Sequence, residues 1–180
     1  EETLKMLEVY RDFVENDLAV PLFVGRKTEN EKFAGALRTY SIEALMSDGK
    51  ALQAGTSHNL GTHFAKVFEI TYLDRDGELK FVWQTSWGVS TRLIGAIIMV
   101  HGDDRGLVLP PKVAPTQVVL VPIAPKKVRE EVLFNAAILY EELRAAGIRV
   151  EMDDREEYSP GWKFNEWEMK GVPLRIEVGP

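Results

Sequence analysis

Three prolines within six residues, Pro110, Pro111 and Pro115, strongly constrain how this chain can fold. Proline fixes φ and has no amide hydrogen, so such a segment favours extended backbone and interrupts regular pairing. Before it, strand-like runs alternate with glycine turns, whereas after it the pattern is strand, helix, strand, helix, strand. We therefore predict a junction between a domain at residues 1–111 and a domain at residues 112–180.

The pattern before the prolines predicts an antiparallel sheet, because Asp48-Gly49 and Asp76-Gly77 are hairpin-type turns. A helix precedes the sheet, since apolar residues recur at spacings of three and four over residues 4–18. The predicted strands span residues 20–24, 37–45, 50–53, 67–73 and 78–84, with a helix at 91–100 and a short strand at 107–109. The whole chain is thus predicted to be α+β.

After the prolines the pattern is that of an α/β unit. Strands are predicted at residues 117–123, 148–152 and 174–178, with helices at 126–146 and 162–170.

Composition narrows the class of protein. Apolar residues make up 45% of the chain, and no apolar run reaches the roughly 18 residues that a membrane span requires. The chain has no cysteine, which excludes disulfides and thiolate metal sites and fits a cytoplasmic location. A net charge of −6 argues against a diffuse basic surface, so any RNA contact must be local.

Residues 88–92, Gly-Val-Ser-Thr-Arg, pass from a strand into a helix. Gly88 permits close approach of a ligand, and helix-start amides attract phosphate. The guanidinium of Arg92 can donate two parallel hydrogen bonds to phosphate oxygens, which a lysine cannot match. The alternative is a helix-capping turn, with Ser90 or Thr91 as the cap and the arginine in solvent.

Two further segments are informative: residues 52–61, Leu-Gln-Ala-Gly-Thr-Ser-His-Asn-Leu-Gly, and the loop at residues 27–35, Lys-Thr-Glu-Asn-Glu-Lys-Phe-Ala-Gly. With residues 85–92, these segments closely resemble the catalytic domain of class II aminoacyl-tRNA synthetases. Within that class, the resemblance is to the prolyl-tRNA synthetase family of archaeal and eukaryotic type. It extends over nearly the whole chain and implies part of the class II antiparallel sheet domain, followed by most of an α/β anticodon-binding domain.

The resemblance implies an enzyme that activates L-proline with ATP and Mg²⁺ and transfers it to tRNA(Pro). The implied ATP-binding residues are Gln53, Thr56, Ser90 and Arg92, of which Arg92 is catalytic and Gln53 also lies near the metal. The implied proline-binding residues are Glu31, Phe33, His58, Trp87 and Gly88.

These assignments conflict with a regular strand, in which Gln53 would face away from Thr56 and His58. We therefore predict irregular backbone at Gly55. A lone histidine is more often structural than catalytic, and adenylate formation needs no protein base, so His58 is assigned to substrate shaping. Without the resemblance, the 27–35 loop would be interpreted as a solvated loop anchored by Phe33.

The second domain is similar to the anticodon-binding domain of several class IIa synthetases. Arg155 and Lys163 could contact phosphates or guanine edges, Glu166 could accept from a base, and Trp162 could stack on one. The alternative is a structural role for the aromatic residues, with the surrounding carboxylates repelling RNA.

The Arg-x-Glu second motif and the dimer-forming first motif of the class are not found, so the sequence is interpreted as an internal segment of a longer, homodimeric enzyme, inactive alone. No editing insertion fits before Arg92. The rival interpretation is a non-catalytic, synthetase-derived module that binds tRNA or another protein.

Overall fold

A computed structural model describes residues 1–180, which form two compact units, Glu1–Val100 and His101–Pro180. The first unit contains a four-stranded antiparallel sheet with strand order β1-β2-β3-β6. Its strands are β1 (Leu22–Arg26), β2 (Arg38–Leu45), β3 (Ala51–Gly61) and β6 (Gln84–Val89).

Three helices and a separate hairpin complete this unit. The hairpin consists of β4 (Thr71–Leu73) and β5 (Leu79–Phe81), and the helices are α1 (Glu2–Asp12), continued by a π-helical turn (Phe13–Asp17), α2 (His63–Val67) and α3 (Arg92–His101).

Helix α1 covers one face of the four-stranded sheet. Its apolar side buries Leu7 against the sheet, and the Ser57 hydroxyl in β3 donates to the carbonyl oxygen of Thr3 at 2.7 Å. Ile42 in β2 is fully buried on this side. The opposite face of the sheet therefore carries the more polar residues.

The second unit is a parallel sheet of order β8-β7-β9 with two helices. Its elements are β7 (Val118–Pro122), α4 (Arg129–Ala145), β8 (Val150–Met152), α5 (Pro160–Met169) and β9 (Leu174–Val178). All five residues of β7 are buried, as expected for the central strand of a covered parallel sheet. Leu139 and Leu143 of α4 pack against the core formed by Val118, Leu120 and Val150.

The predicted helix at 4–18, the antiparallel sheet and the α/β order after the prolines are confirmed. Three predicted strands are wrong in extent: β3 runs to Gly61 instead of ending at Gln53, the run at 67–73 begins with the end of α2, and the run at 78–84 forms only Leu79–Phe81 before β6 begins. A fourth, at 107–109, is absent. No helix has the length and apolar character needed to cross a membrane.

Candidate functional site

The polar face of the four-stranded sheet is built by the register of three strands. Thr39 of β2 pairs with His58 of β3, and Ser41 pairs with Thr56. Thr56 in turn pairs with Gly88 of β6. Directly opposed residues of antiparallel strands project from the same face, so these side chains share the face opposite α1.

A bulge in β3 brings Gln53 onto this face. Ile42 pairs with Gly55 while Glu43 pairs with Gln53, which leaves Ala54 without a partner. One extra residue reverses the alternation of side chains, so Gln53 projects with Thr56 and His58. The predicted irregularity at Gly55 is confirmed, and it resolves the conflict that a regular strand would have created.

Close packing explains why glycine follows the unpaired residue. A Cβ atom on Gly55 would lie 2.9 Å from Cγ1 of Val89 and 3.3 Å from both the carbonyl oxygen of Gly88 and Cδ1 of Ile42. A side chain at this position would force Val89 and its neighbours to shift.

The four predicted ATP-binding residues lie around one open cleft. It has a volume of about 300 Å³, and its walls are Gln53, Ala54, Gly55, Thr56, Gly88, Val89, Ser90 and Arg92. The Arg92 guanidinium donates to the carbonyl oxygen of Gln53 at 3.2 Å, and its backbone amide donates to the Ser90 hydroxyl at 3.3 Å. A Cβ on Gly88 would meet nothing within 4 Å, so the backbone there is open to a ligand.

Next to this cleft, Phe33 and His58 form an aromatic corner. Their ring centroids are 5.0 Å apart, and Phe64 lies 6.2 Å from Phe33. The Phe33 amide donates to the hydroxyl of Thr39 at 3.0 Å, and that hydroxyl lies 2.9 Å from Nδ1 of His58. Burial lowers the pKa of His58, which favours the neutral imidazole at physiological pH.

The remaining predicted proline-binding residues are placed differently. Glu31 accepts a hydrogen bond from the Thr28 hydroxyl at 3.1 Å and borders a second opening beside Ser41 and Glu43. Trp87 pairs with Ser57, on the α1 face, and its ring meets Tyr10 edge to face at 6.4 Å. The expected role of Trp87 as a pocket wall does not agree with this placement, because the alternation of β6 turns it away from His58.

Sequence reasoning missed three polar residues of β2 on this face, Thr39, Ser41 and Glu43. Glu43 accepts from Lys27 and from the Ser41 hydroxyl, and these hydrogen bonds, that from Lys27 first, lower its pKa. The signal was present in β2, where polar residues 39, 41 and 43 alternate with larger or apolar ones. The Lys27 to Glu43 ion pair ties the start of the 27–35 loop to the sheet.

In the second unit, the predicted anticodon contacts converge on Asp153, which is 3% exposed. Arg155 donates to both carboxylate oxygens at 2.8 and 2.7 Å, and the Trp167 indole donates at 2.9 Å. The hydrogen bonds from Arg155 are the largest cause of the strongly lowered pKa of Asp153. Glu166 accepts from Arg155 and from Lys170.

Lys163 also belongs to this network. Its side chain is 5% exposed, and its ammonium donates to the carbonyl oxygen of Asp153 at 2.9 Å. Direct contact of Lys163 with RNA does not agree with this position, since a buried lysine is retained only where it is paired. The sequence did not reveal this, because lysine is normally a surface residue.

Outside the network, Tyr158 and Trp162 stack with centroids 3.8 Å apart and planes at 11°. The Arg155 guanidinium lies 4.8 Å from the Tyr158 centroid and 5.3 Å from that of Trp162. A cleft of about 290 Å³ adjoins this stack, bordered by Pro122 at the end of β7 and by Asp154 shortly after β8. The carboxyl ends of parallel strands are where open α/β sheets bind ligands.

Comparison with known proteins agrees with this division of the chain. Residues 117–180 match a family model described as "Anticodon binding domain". The whole chain is 72% identical to "Proline--tRNA ligase" of Natranaerobius thermophilus and 68% identical to the protein of the same name of Symbiobacterium thermophilum. It is 61% identical to "Proline--tRNA ligase 2" of Clostridioides difficile. The chain spans 37% of the length of each of these relatives.

The family match thus places residues 117–180, which form the parallel sheet with its two helices, among anticodon-binding domains. Over its full length, the chain is homologous to one segment of the proteins named proline–tRNA ligase, at 61–72% identity.

Proposed function

We propose that the protein containing this chain activates L-proline with ATP and Mg²⁺ and transfers it to tRNA(Pro). The observation that carries the proposal is the cleft in which Gln53, Thr56, Ser90 and Arg92 meet, beside the corner of Phe33 and His58. The names and identities of the relatives support the same reaction. The proposal includes the homodimeric state and the cytoplasmic location that the family resemblance implies.

The first unit is proposed to be part of the class II catalytic sheet domain. Its antiparallel sheet, with a cleft at the junction of β6 and α3, supports this assignment. The proposed domain junction at 111/112 lies between the division of the compact units at 100/101 and the start of the family match at 117.

The hydrogen-bond donors around the cleft suit the phosphates of a nucleoside triphosphate. Arg92 offers a guanidinium with several N–H donors, and the start of α3 adds backbone amides, which together suit phosphate oxygens. The amide oxygen of Gln53 is a hard ligand of the kind that Mg²⁺ accepts. Mg²⁺ usually keeps several waters and binds substrate phosphates, so Gln53 is proposed as one ligand among these.

In the proposed reaction, a carboxylate oxygen of proline attacks the α-phosphorus of ATP. A P–O bond forms to the carboxylate, and the bond to the β-phosphate oxygen breaks as pyrophosphate leaves. No proton needs to move in this step, so catalysis rests on position and charge. Arg92 is proposed to bind the γ-phosphate and to stabilise the charge of the departing pyrophosphate.

The proline ring is proposed to contact Phe33 and His58, with Gly88 leaving room for its approach. A compact apolar ring needs such walls, together with a separate acceptor for its amine. Glu31 remains a proposed source of negative charge near this pocket.

In the second unit, Arg155 with the stacked Tyr158 and Trp162 is proposed as the contact with anticodon bases. An aromatic face beside a guanidinium is the arrangement on which unstacked bases rest. Lys163 and Glu166 are proposed to hold Arg155 in position. Lys163 does so through Asp153, and Glu166 accepts a hydrogen bond from Arg155 directly.

Substitution of Arg92 tests the nucleotide site. In the full-length protein, Arg92→Ala is expected to lower proline-dependent exchange of pyrophosphate into ATP about 100-fold, which corresponds to two lost charged hydrogen bonds. Arg92→Lys is expected to restore only part of the rate, because lysine lacks the planar fork. The control is Arg75→Ala, in the exposed turn of the β4–β5 hairpin. Equal rates for all four proteins would contradict the assignment.

A further inference from the structure

We infer that Thr39 is a positioning residue that fixes the proton of His58 on Nε2, so that His58 donates a hydrogen bond to the carboxylate of the amino-acid substrate. The inference rests on the proposed function, since it assumes that an amino acid binds beside His58.

The hydroxyl of Thr39 is buried, since only 3% of the residue is exposed. A hydroxyl has one hydrogen to donate and two lone pairs to accept. One lone pair accepts from the Phe33 amide at 3.0 Å. The hydrogen then needs an acceptor, because a buried donor without a partner is costly.

Nδ1 of His58, at 2.9 Å, is the acceptor within reach of this hydroxyl. If Nδ1 carried the ring proton instead, it would donate to Thr39, and the hydroxyl hydrogen would be left without a partner in the chain. The hydrogen-bond inventory therefore assigns a lone pair to Nδ1.

The charge of His58 determines whether its other nitrogen, Nε2, carries a proton. Burial disfavours the cation, and it lowers the pKa of His58. A neutral imidazole has one N–H, which must then be on Nε2. Nε2 has no hydrogen-bond partner within the chain, so its hydrogen is available to a ligand.

Free proline has two polar groups: a carboxylate, which only accepts, and a protonated secondary amine, which only donates. An Nε2–H can pair with the carboxylate and cannot pair with the ammonium. His58 thus orients one oxygen of the nucleophilic carboxylate and leaves the other free to attack, while the amine requires a different residue.

The test measures proline-dependent pyrophosphate exchange in the full-length protein for Thr39→Val, which keeps the shape but removes the hydroxyl, and for Thr39→Ser, which keeps the hydroxyl. Thr39→Val is expected to raise the KM for proline about 10-fold, the equivalent of one charged hydrogen bond, with the KM for ATP unchanged. Thr39→Ser is expected to retain a KM near that of the original protein. A Thr39→Val enzyme with an unchanged KM for proline would overturn the inference.

A double variant distinguishes an effect of Thr39 that is transmitted through His58 from a general disturbance of the 27–35 loop. In His58→Ala, the further change Thr39→Val is expected to have little additional effect on the KM for proline, since the residue it positions is gone. Full additivity of the two effects would contradict the inference. Inhibition by pyrrolidine, which lacks the carboxylate, is expected to be equal in the original protein and Thr39→Val, and a parallel loss would contradict the assignment to the carboxylate.

The tautomer can also be observed directly. In full-length protein labelled with ¹⁵N-histidine, the His58 signals, assigned by their loss in His58→Ala, should show an unprotonated Nδ1 and a protonated Nε2. A protonated Nδ1 would overturn the inference whatever the kinetics. Failure of the original protein to use proline would instead refute the proposed function, while the nitrogen signals would still report on Thr39 and His58.

Discussion

At the scale of single residues, Asp153 holds the charged side chains of Arg155 and Lys163 in place in the second unit. Its buried carboxylate accepts from Arg155 and Trp167, and the Lys163 ammonium lies 3.7 Å from one of its oxygens. Two cations and an indole are therefore oriented by one acid, and the Arg155 guanidinium is held beside the stacked Tyr158 and Trp162.

Asp153→Asn is expected to lower the free energy of unfolding by about 3 kcal/mol, because it leaves the buried Lys163 without a compensating charge. Urea unfolding followed by tryptophan fluorescence measures this change. The matched control is the exposed neighbour in Asp154→Asn, expected within about 0.5 kcal/mol of the original chain. Equal stability of the two variants would contradict the role given to Asp153.

The same interaction predicts a pH dependence. The pKa of Asp153 is lowered in the folded chain, chiefly by hydrogen bonds from Arg155. The stabilisation of the fold by Asp153 is therefore fully present above the ordinary aspartate pKa of about 4. That stabilisation is lost as the pH falls from there toward the lowered pKa. Asp153→Asn should therefore flatten the acid limb of a plot of unfolding free energy against pH.

At the scale of elements, the bulge in β3 decides which residues share the cleft. Next to the unpaired Ala54, Gly55 leaves room for the side chains of Ile42 in β2 and Val89 in β6. Gly55→Ala is expected to cost about 1–3 kcal/mol of stability through overpacking against Val89 and Ile42. It should also raise the KM for ATP in the full-length protein, since Gln53 and Thr56 lie within two residues of the substituted glycine.

Gly25 in β1 provides the control for this prediction, because a Cβ there would meet nothing within 4 Å. Gly25→Ala is expected to change neither stability nor the KM for ATP appreciably. If Gly55→Ala behaved like Gly25→Ala, the close packing at the bulge would not be what positions the cleft.

Helix α5 carries Trp162, one of the two stacked rings of the second unit. Ser159 caps it by accepting from the Trp162 amide at 3.3 Å, and Pro160 follows at the first helical position. Trp162→Ala is expected to weaken binding of the cognate tRNA by about 10-fold, within the range for one lost base stack. Filter binding at fixed salt measures this, with the exposed Trp83→Ala in the first unit as the control. Unchanged affinity of Trp162→Ala would exclude the stack as an RNA contact.

How far the sequence predicts these elements depends on the kind of signal. Periodicity located α1, α4 and the strands of the second unit, because their apolar residues repeat over long runs. It ended β3 too early, since residues 55–61 contain glycine, serine and asparagine, which have low strand propensity and are held in β3 by pairing with two neighbours. Pairing between distant strands is a tertiary effect that local propensity does not contain.

The candidate site shows the same limit. Motif resemblance grouped Gln53, Thr56, Ser90 and Arg92, and the structure brings them around one cleft. Resemblance could not reveal that Lys163 is buried, nor that Trp87 faces α1. Both depend on the side to which a residue points, which is set by packing partners far away in the sequence.

At the scale of the whole molecule, the chain combines a sheet that bears an open cleft of about 300 Å³ with an anticodon-binding domain. The pairing makes functional sense if one protein must both activate an amino acid and select the tRNA that receives it. The names of the relatives are the reason for proposing proline as that amino acid. The pocket itself can discriminate only modestly against smaller amino acids, since lost methylenes are worth about 1–3 kcal/mol.

The most direct measurement is amino-acid-dependent exchange of pyrophosphate into ATP by the full-length protein, with proline, threonine, alanine and serine compared at equal concentrations. We expect the highest exchange with proline, weak exchange with alanine, and a collapse of both in Arg92→Ala. Exchange with threonine but not proline would contradict the assigned substrate. No exchange with any of the four would contradict the enzyme and favour a non-catalytic module that binds tRNA or protein.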